Sequence, residues 1–164
     1  RIWNHRFEHP FLRVRSWRVG PRLDFKAMAQ AATDFVGEYD FSAFRAADCE
    51  SLTTIRRIKR VELYRRGSEL EILVEGDAFL KYMVRIMVGT LVDIGLERLP
   101  EDAVRRALQS GDRLDAGQTA PAKGLTLEEV FYPDFPWQEE PEIEGLLSEI
   151  GVGDLNGAFQ KIEV

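Results

Sequence analysis

The sequence predicts an α+β domain with helices packed on one face of an antiparallel sheet. Two observations carry that expectation. Apolar and polar residues alternate in two adjacent stretches, through Val61 and Leu63 and then through Leu70, Ile72 and Val74, with Arg66-Gly67-Ser68 between them as a hairpin turn. Other apolar residues recur at helical spacing, as in Phe25, Met28, Ala32 and Phe35. In chain order the segments read β-α-β-β-α-α-β.

Residues 12–19 read as the first strand, because Leu12 and Val14 alternate with Arg13 and Arg15. Asp24 can cap the helix that follows, and Gly37 suits its C-terminal exit. Residues 38–54 read as a loop, and strands are expected at 55–64 and 69–75. Asp77 can cap a long helix at 78–94, closed by Gly95. Pro100, Glu101 and Asp102 make a favourable first turn for a shorter helix ending near Gly111. A loop at 112–124 then leads to a last strand at 125–132. Pro133 and Pro136 mark a turn or linker. Beyond them Ile143, Leu146, Leu147 and Ile150 outline a short amphipathic helix. The expected division is therefore a domain at 1–133 and an acidic tail at 134–164, whose helix either docks on its own domain or serves a partner.

With 164 residues and 45% hydrophobic content, the chain can bury one sizeable core. The single cysteine, Cys49, allows no internal disulfide and suits a reducing cytoplasm. No apolar run approaches the roughly 20 residues of a membrane span, so no membrane partner is expected. Arg1 stands where an initiating methionine would, which points to a fragment of a longer protein. The net charge of −6 is unevenly spread. Residues 134–164 hold eight acids against one lysine, and residues 1–133 hold 20 acids against 21 bases. Within the domain, Arg1, Arg6, Arg13, Arg15, Arg18 and Arg22 crowd one stretch, and Arg56, Arg57, Lys59, Arg60, Arg65 and Arg66 crowd another. Such stretches either bind phosphate backbone or form solvated strand faces.

Three segments could carry chemistry. The helix after Asp77 is apolar almost all round, which predicts burial, yet it contains Arg85. At helical spacing Arg85 has Ala78, Lys81, Tyr82 and Gly89 as neighbours, and the small ones leave room for a close approach. A guanidinium there needs a partner, either a carboxylate or a phosphate. An acid of this chain, such as Asp40 or Asp93, is one candidate. In the second segment, Phe41 and Phe44 lie three apart, followed by Arg45; such aromatics pack in a core or stack on a nucleobase. The third segment, 112–125, mixes small residues with Arg113 and Lys123 and reads as a ligand-contacting or an ordinary surface loop. Other motifs fail. Gly151, Gly153 and Gly157 lack dinucleotide spacing, His5 and His9 lack further zinc ligands, and Cys49 has no histidine at motif spacing.

Together these segments resemble the tRNA pseudouridine synthase A family. Asp40-Phe41-Ser42-Ala43-Phe44-Arg45 resembles its D-F-x-x-F-R element. Phe79-Leu80-Lys81-Tyr82-Met83-Val84-Arg85 with Val88-Gly89 resembles its F-L-x-x-M-V-R-x-x-V-G helix. Asp112-Arg113, Thr119-Ala120-Pro121-Ala122 and Lys123-Gly124-Leu125 resemble its D-R and T-A-P-A-x-G-L loop. The likeness runs from about Leu12 to Pro133. It implies a ferredoxin-like, pseudouridine synthase domain and isomerisation of uridine to pseudouridine in the tRNA anticodon arm, without a cofactor or metal. It also implies a homodimer. The family's catalytic aspartate sits in an R-T-D-x-G-V-H-A segment of an N-terminal half, and this chain contains no such segment. The resemblance thus gives Arg85 the role of ion-pair partner to an aspartate in that missing half. It places Phe44, Arg45, Lys81, Tyr82, Arg113, Thr119, Ala120, Pro121, Ala122, Lys123, Gly124 and Leu125 at the uridine pocket or on the RNA side. Tyr39 stands where a histidine is common, and the acidic tail has no counterpart. The expected product is an isomerase domain inactive by itself. The alternatives are an RNA-binding module without catalysis, or a protein-interaction domain acting through the tail.

Overall fold

The sheet is built outward from one long hairpin. In the computed structural model, which describes residues 1–131, β4 (Ile55–Arg66) and β5 (Glu69–Gly76) pair from Arg66↔Glu69 to Ile58↔Gly76. Their turn needs Gly67 at φ +60°, a left-handed conformation that glycine adopts without steric cost. Pairs Val61↔Val74 and Leu63↔Ile72 put the alternating apolar residues on one face, as the pattern predicts. A register shift between Ile58 and Arg60 inserts an extra residue, so Ile58 and Val61 both reach the core despite their odd spacing.

Three short strands complete a five-stranded mixed sheet in the order β2-β1-β5-β4-β3. β1 (Ile2–Asn4) runs antiparallel to β5 and parallel to β2 (Trp17–Val19), and β3 (Gly37–Asp40) lies antiparallel to β4. Sequence expected neither β1 nor β3. Three residues are too few to show alternation, and β3 is defined by its pairing with β4. The first expected strand, 12–19, shrinks to β2. Its first half turns instead, with Leu12 N–H and Arg13 N–H donating to the His9 carbonyl. Residues 125–131 form no strand, a second correction; Tyr132 lies outside the described residues, as do the 133–136 linker and the acidic tail.

Helix α1 (Phe25–Ala32) starts at Asp24, whose carboxylate accepts from Lys26 N–H at 2.9 Å and Ala27 N–H at 3.0 Å. It ends earlier than expected and passes into a 3-10 turn, Thr33–Phe35. Helix α2 (Met83–Gly95) also starts later than expected. Asp77 does not cap it, but pairs with Lys59 at 2.6 Å. Tyr82, at φ +64°, marks the change of direction before the helix. Helix α3 (Ala103–Ser110) stops at Gly111, φ +67°, as its sequence predicts.

The α+β reading holds. The three helices and the Ile58, Val61, Leu63, Leu70, Ile72 and Val74 face of the sheet share one hydrophobic cluster. Close packing of α1 on α2 depends on Gly95, where an added Cβ would lie 2.6 Å from the Met28 sulfur. The first compact unit of the chain runs from Arg1 to Thr126, and the site described below lies within it.

Candidate functional site

The site forms where the 113–125 loop lies against α2. Gly89 makes this possible. A Cβ on it would sit 1.7 Å from the Gln118 carbonyl oxygen, so no larger residue fits without moving the backbone. Gly117 meets Thr90 in the same way, with an added Cβ 2.6 Å from its Cα. The small residue foreseen beside Arg85 does admit a close approach, and what approaches is the chain's own loop.

Two polar side chains on α2 fasten that loop. The Thr90 hydroxyl donates to the Ile86 carbonyl at 2.9 Å and accepts from Gly117 N–H at 2.8 Å. Asp93 accepts from Gln118 N–H at 3.0 Å and from the Gln118 side-chain amide at 2.6 Å, with Arg98 at 3.4 Å. Thr90 and Asp93 are buried, so these bonds replace lost hydration. Sequence reasoning missed Thr90 and Gln118. The available signal was two polar residues three apart on an apolar helix.

Arg85 is held by the same loop. Its Nε donates to the Ala120 carbonyl at 2.6 Å, and Ala120 N–H donates to the Arg85 carbonyl at 3.0 Å. The guanidinium carbon lies 4.4 Å from the centre of the Tyr82 ring, a cation–π arrangement. Its two terminal nitrogens form no hydrogen bond or ion pair among the described residues. The in-chain acids considered from sequence are engaged elsewhere. Asp93 serves Gln118 and Arg98. Asp40 caps Ser42 N–H at 2.9 Å, and a hydrogen bond from Thr54, helped by Ser42 and Arg45, holds its carboxyl below the usual aspartate range.

The remaining residues divide by role. Tyr82 is exposed and also lies 5.9 Å from the Lys81 ammonium. Lys81 pairs with Asp48 at 2.6 Å, a bond that lowers the Asp48 pKa and raises that of Lys81. The Lys81 carbonyl accepts from Ala46 N–H, which ties the segment carrying Arg45 to the start of α2. Phe44 departs from its expected place on the RNA side. Its ring is 0% exposed and packs edge-on against Phe35 and Phe41, so it offers no face to a ligand. Arg113 is used internally, donating to the Ala116 carbonyl at 3.2 Å and the Thr119 hydroxyl at 3.3 Å. Pro121 is half-buried, while Ala122, Lys123 and Leu125 are exposed. Gly124 lies beside the start of β1, its carbonyl accepting from the Arg1 nitrogen at 2.8 Å.

Chemically, the site offers an anchored cation with two free donor groups, an exposed phenol ring beside it, and a loop of small residues. No group of His, Cys, Asp and Glu among the described residues could hold a metal ion. No helix among them is long and apolar enough to cross a membrane.

Comparison with known proteins gives a consistent result. A family model described as tRNA pseudouridine synthase matches residues 31–133. The chain is 46% identical over 142 residues to a tRNA pseudouridine synthase A of Myxococcus xanthus, covering 86% of this chain and 54% of that protein. It is 47% identical over 131 residues to the tRNA pseudouridine synthase A of Geotalea uraniireducens (strain Rf4), covering 80% of this chain and 54% of the relative. The same identity and coverage hold for the namesake in Pelobacter propionicus (strain DSM 2379 / NBRC 103807 / OttBd1). The chain thus spans about half the length of the curated relatives it matches.

Proposed function

The chain belongs to the tRNA pseudouridine synthase family, and on that premise we propose that it is the C-terminal part of an enzyme isomerising uridine to pseudouridine in the tRNA anticodon arm. Residues 1–133 supply one wall of the uridine pocket. The catalytic aspartate comes from the half of the protein outside this chain. The full enzyme works as a cytoplasmic homodimer without a cofactor, and this chain by itself is inactive.

The observation that supports this reading most directly is Arg85. Its Nε is committed to Ala120, while its terminal nitrogens have no partner among the described residues. A half-buried guanidinium with an open fork matches a carboxylate arriving from elsewhere. It would orient that carboxylate and favour its ionised form, as a nucleophile requires. The target base must leave its stack at a cost of a few kcal/mol. Tyr82, Lys81, Arg45 and the 119–125 loop are the groups positioned to receive it. Phe44 supports the pocket from the core.

The test is pseudouridine formation on unmodified tRNA. The longer protein should turn over and residues 1–164 alone should not; turnover by the short chain would overturn the fragment reading. In the longer protein, Arg85→Ala should lower kcat/KM by about a hundredfold or more, since it leaves a charge uncompensated. Arg65→Ala, on an exposed hairpin end, should change it by about twofold or less. Equal effects would leave Arg85 with a structural role only.

A further inference from the structure

The β1–β2 connector, with β2 and the residues that follow it as far as Arg22, lies outside the residues assigned to the pocket. Residues 5–22 contain five arginines and one acid, Glu8, in a chain whose net charge is −6. Arg6, Arg13, Arg15, Arg18 and Arg22 are all exposed, and none forms an ion pair among the described residues. Large rings stand out among them. Phe7 is 60% exposed and Phe11 84%, and the Arg6 guanidinium carbon lies 4.5 Å from the centre of the Phe7 ring.

The connector is nonetheless shaped by its own bonds. Trp3 Nε1 donates to the Phe7 carbonyl at 2.8 Å, and Arg18 donates to the Arg6 carbonyl at 3.1 Å. Ser16, which is buried, donates to the Leu12 carbonyl at 2.8 Å. Side chains presented from such a frame lose little further backbone entropy on binding. The connector also adjoins the pocket loop. At Gly124 an added Cβ would lie 2.7 Å from the Arg1 carbonyl oxygen and 3.1 Å from the Trp17 nitrogen.

From these observations we infer that residues 5–22 form a second RNA-docking surface, binding phosphates and stacking an unpaired base outside the uridine pocket. The inference rests on the reading of the protein as a tRNA-modifying enzyme. Unpaired arginines suit phosphates, and exposed rings interleaved with them suit single-stranded bases. A second copy of this chain is the poorer fit. In a two-fold contact the same five arginines would face one another and repel.

The test uses the full-length protein and unmodified tRNA, with binding read by fluorescence anisotropy across a salt series. Arg13→Gln with Arg15→Gln should weaken binding roughly tenfold near physiological salt and lower the slope of log K against log salt by about two. KM should rise while kcat stays unchanged, because neither residue belongs to the pocket. Phe11→Ala should weaken binding about fivefold without changing the slope. All these side chains are exposed, and an unchanged melting temperature would verify folding. An unaltered slope and KM would overturn the inference. So would loss of a dimer in sedimentation with tRNA affinity intact, which would make the surface a protein contact. Failure of the unsubstituted protein to form pseudouridine would instead sink the functional reading, because anisotropy reports docking without turnover.

Discussion

The two arginine-rich stretches of this chain look alike in sequence and differ in the fold. In β4, cations meet acids brought by strand pairing. Lys59 pairs with Asp77 at 2.6 Å, and Arg60 lies 3.1 Å from Glu75 and 3.4 Å from Glu62. Arg56 and Arg65 spend donors on nearby oxygens of Thr53, Ile55 and Gly67. In the 5–22 stretch Arg18 likewise donates to the Arg6 carbonyl, but no arginine there pairs with an acid among the described residues. The stretch leaves β1, folds on itself and returns as the edge strand β2. Positive charge in a sequence therefore says little about polyanion binding until its acidic partners are known. In β4 two of the six cations, Lys59 and Arg60, are paired with acids, and in the 5–22 stretch none is, among the described residues. Arg85 is a third case, a single cation fixed by backbone rather than by an acid.

The largest effect expected concerns that third case. Gly89→Ala would drive a Cβ into the Gln118 carbonyl, displace the loop and remove the anchor of Arg85. Unfolding should cost about 2–3 kcal/mol less than in the parent, the upper range for overpacking. Denaturant melts would measure it, and an unchanged midpoint would mean the loop can shift freely. A second test asks whether β4 becomes RNA-binding when its acids are removed. Glu75→Gln together with Glu62→Gln removes both acids that Arg60 meets and should steepen the salt dependence of tRNA binding by up to about one unit, whereas Arg60→Gln alone should change it by only a few tenths. A steep loss with Arg60→Gln would erase the distinction between the two stretches.

The smallest effect is a titration. The hydrogen bond from Lys59, reinforced by its charge and that of Arg57, holds the Asp77 carboxyl below the usual aspartate range. A depressed carboxylate contributes stability that is present above its unfolded pKa and lost as pH falls through the folded one. The Lys59–Asp77 pair should thus persist at neutral pH and part only below about pH 4. Carbon-detected NMR of the Asp77 carboxyl should show its midpoint move upward in Lys59→Gln. A midpoint that stays put would mean Lys59 does not hold the pair.

Much of the scaffold was legible because its causes are local. The hairpin, the Asp24 cap and the Gly111 stop each depend on residues within a few positions of one another. The α2 start was misread because Asp77 had a better bond available, to a lysine on the neighbouring strand. Within the candidate site, Arg85 was legible as one charge on an apolar helix, but its contacts with the Ala120 carbonyl and the Tyr82 ring were not. The clamp of Thr90 and Asp93 on Gly117 and Gln118 was not, because it joins residues 25 and 27 positions apart. Phe44 shows the opposite failure: a family motif placed it near RNA, and close packing with Phe35 and Phe41 took it inside.

By itself the sequence determined the fold class and the family likeness, and it singled out Arg85 as a candidate. Spacing along the chain sets which face a side chain takes on its own strand or helix. The tertiary structure alone decided which charges were neutralised. The register of β4 on β5 and the turn at 77 put acids beside Lys59 and Arg60, while the β1–β2 connector carried its arginines away from any. Ion pairing acts over a few ångströms of space, and chain position does not measure that distance.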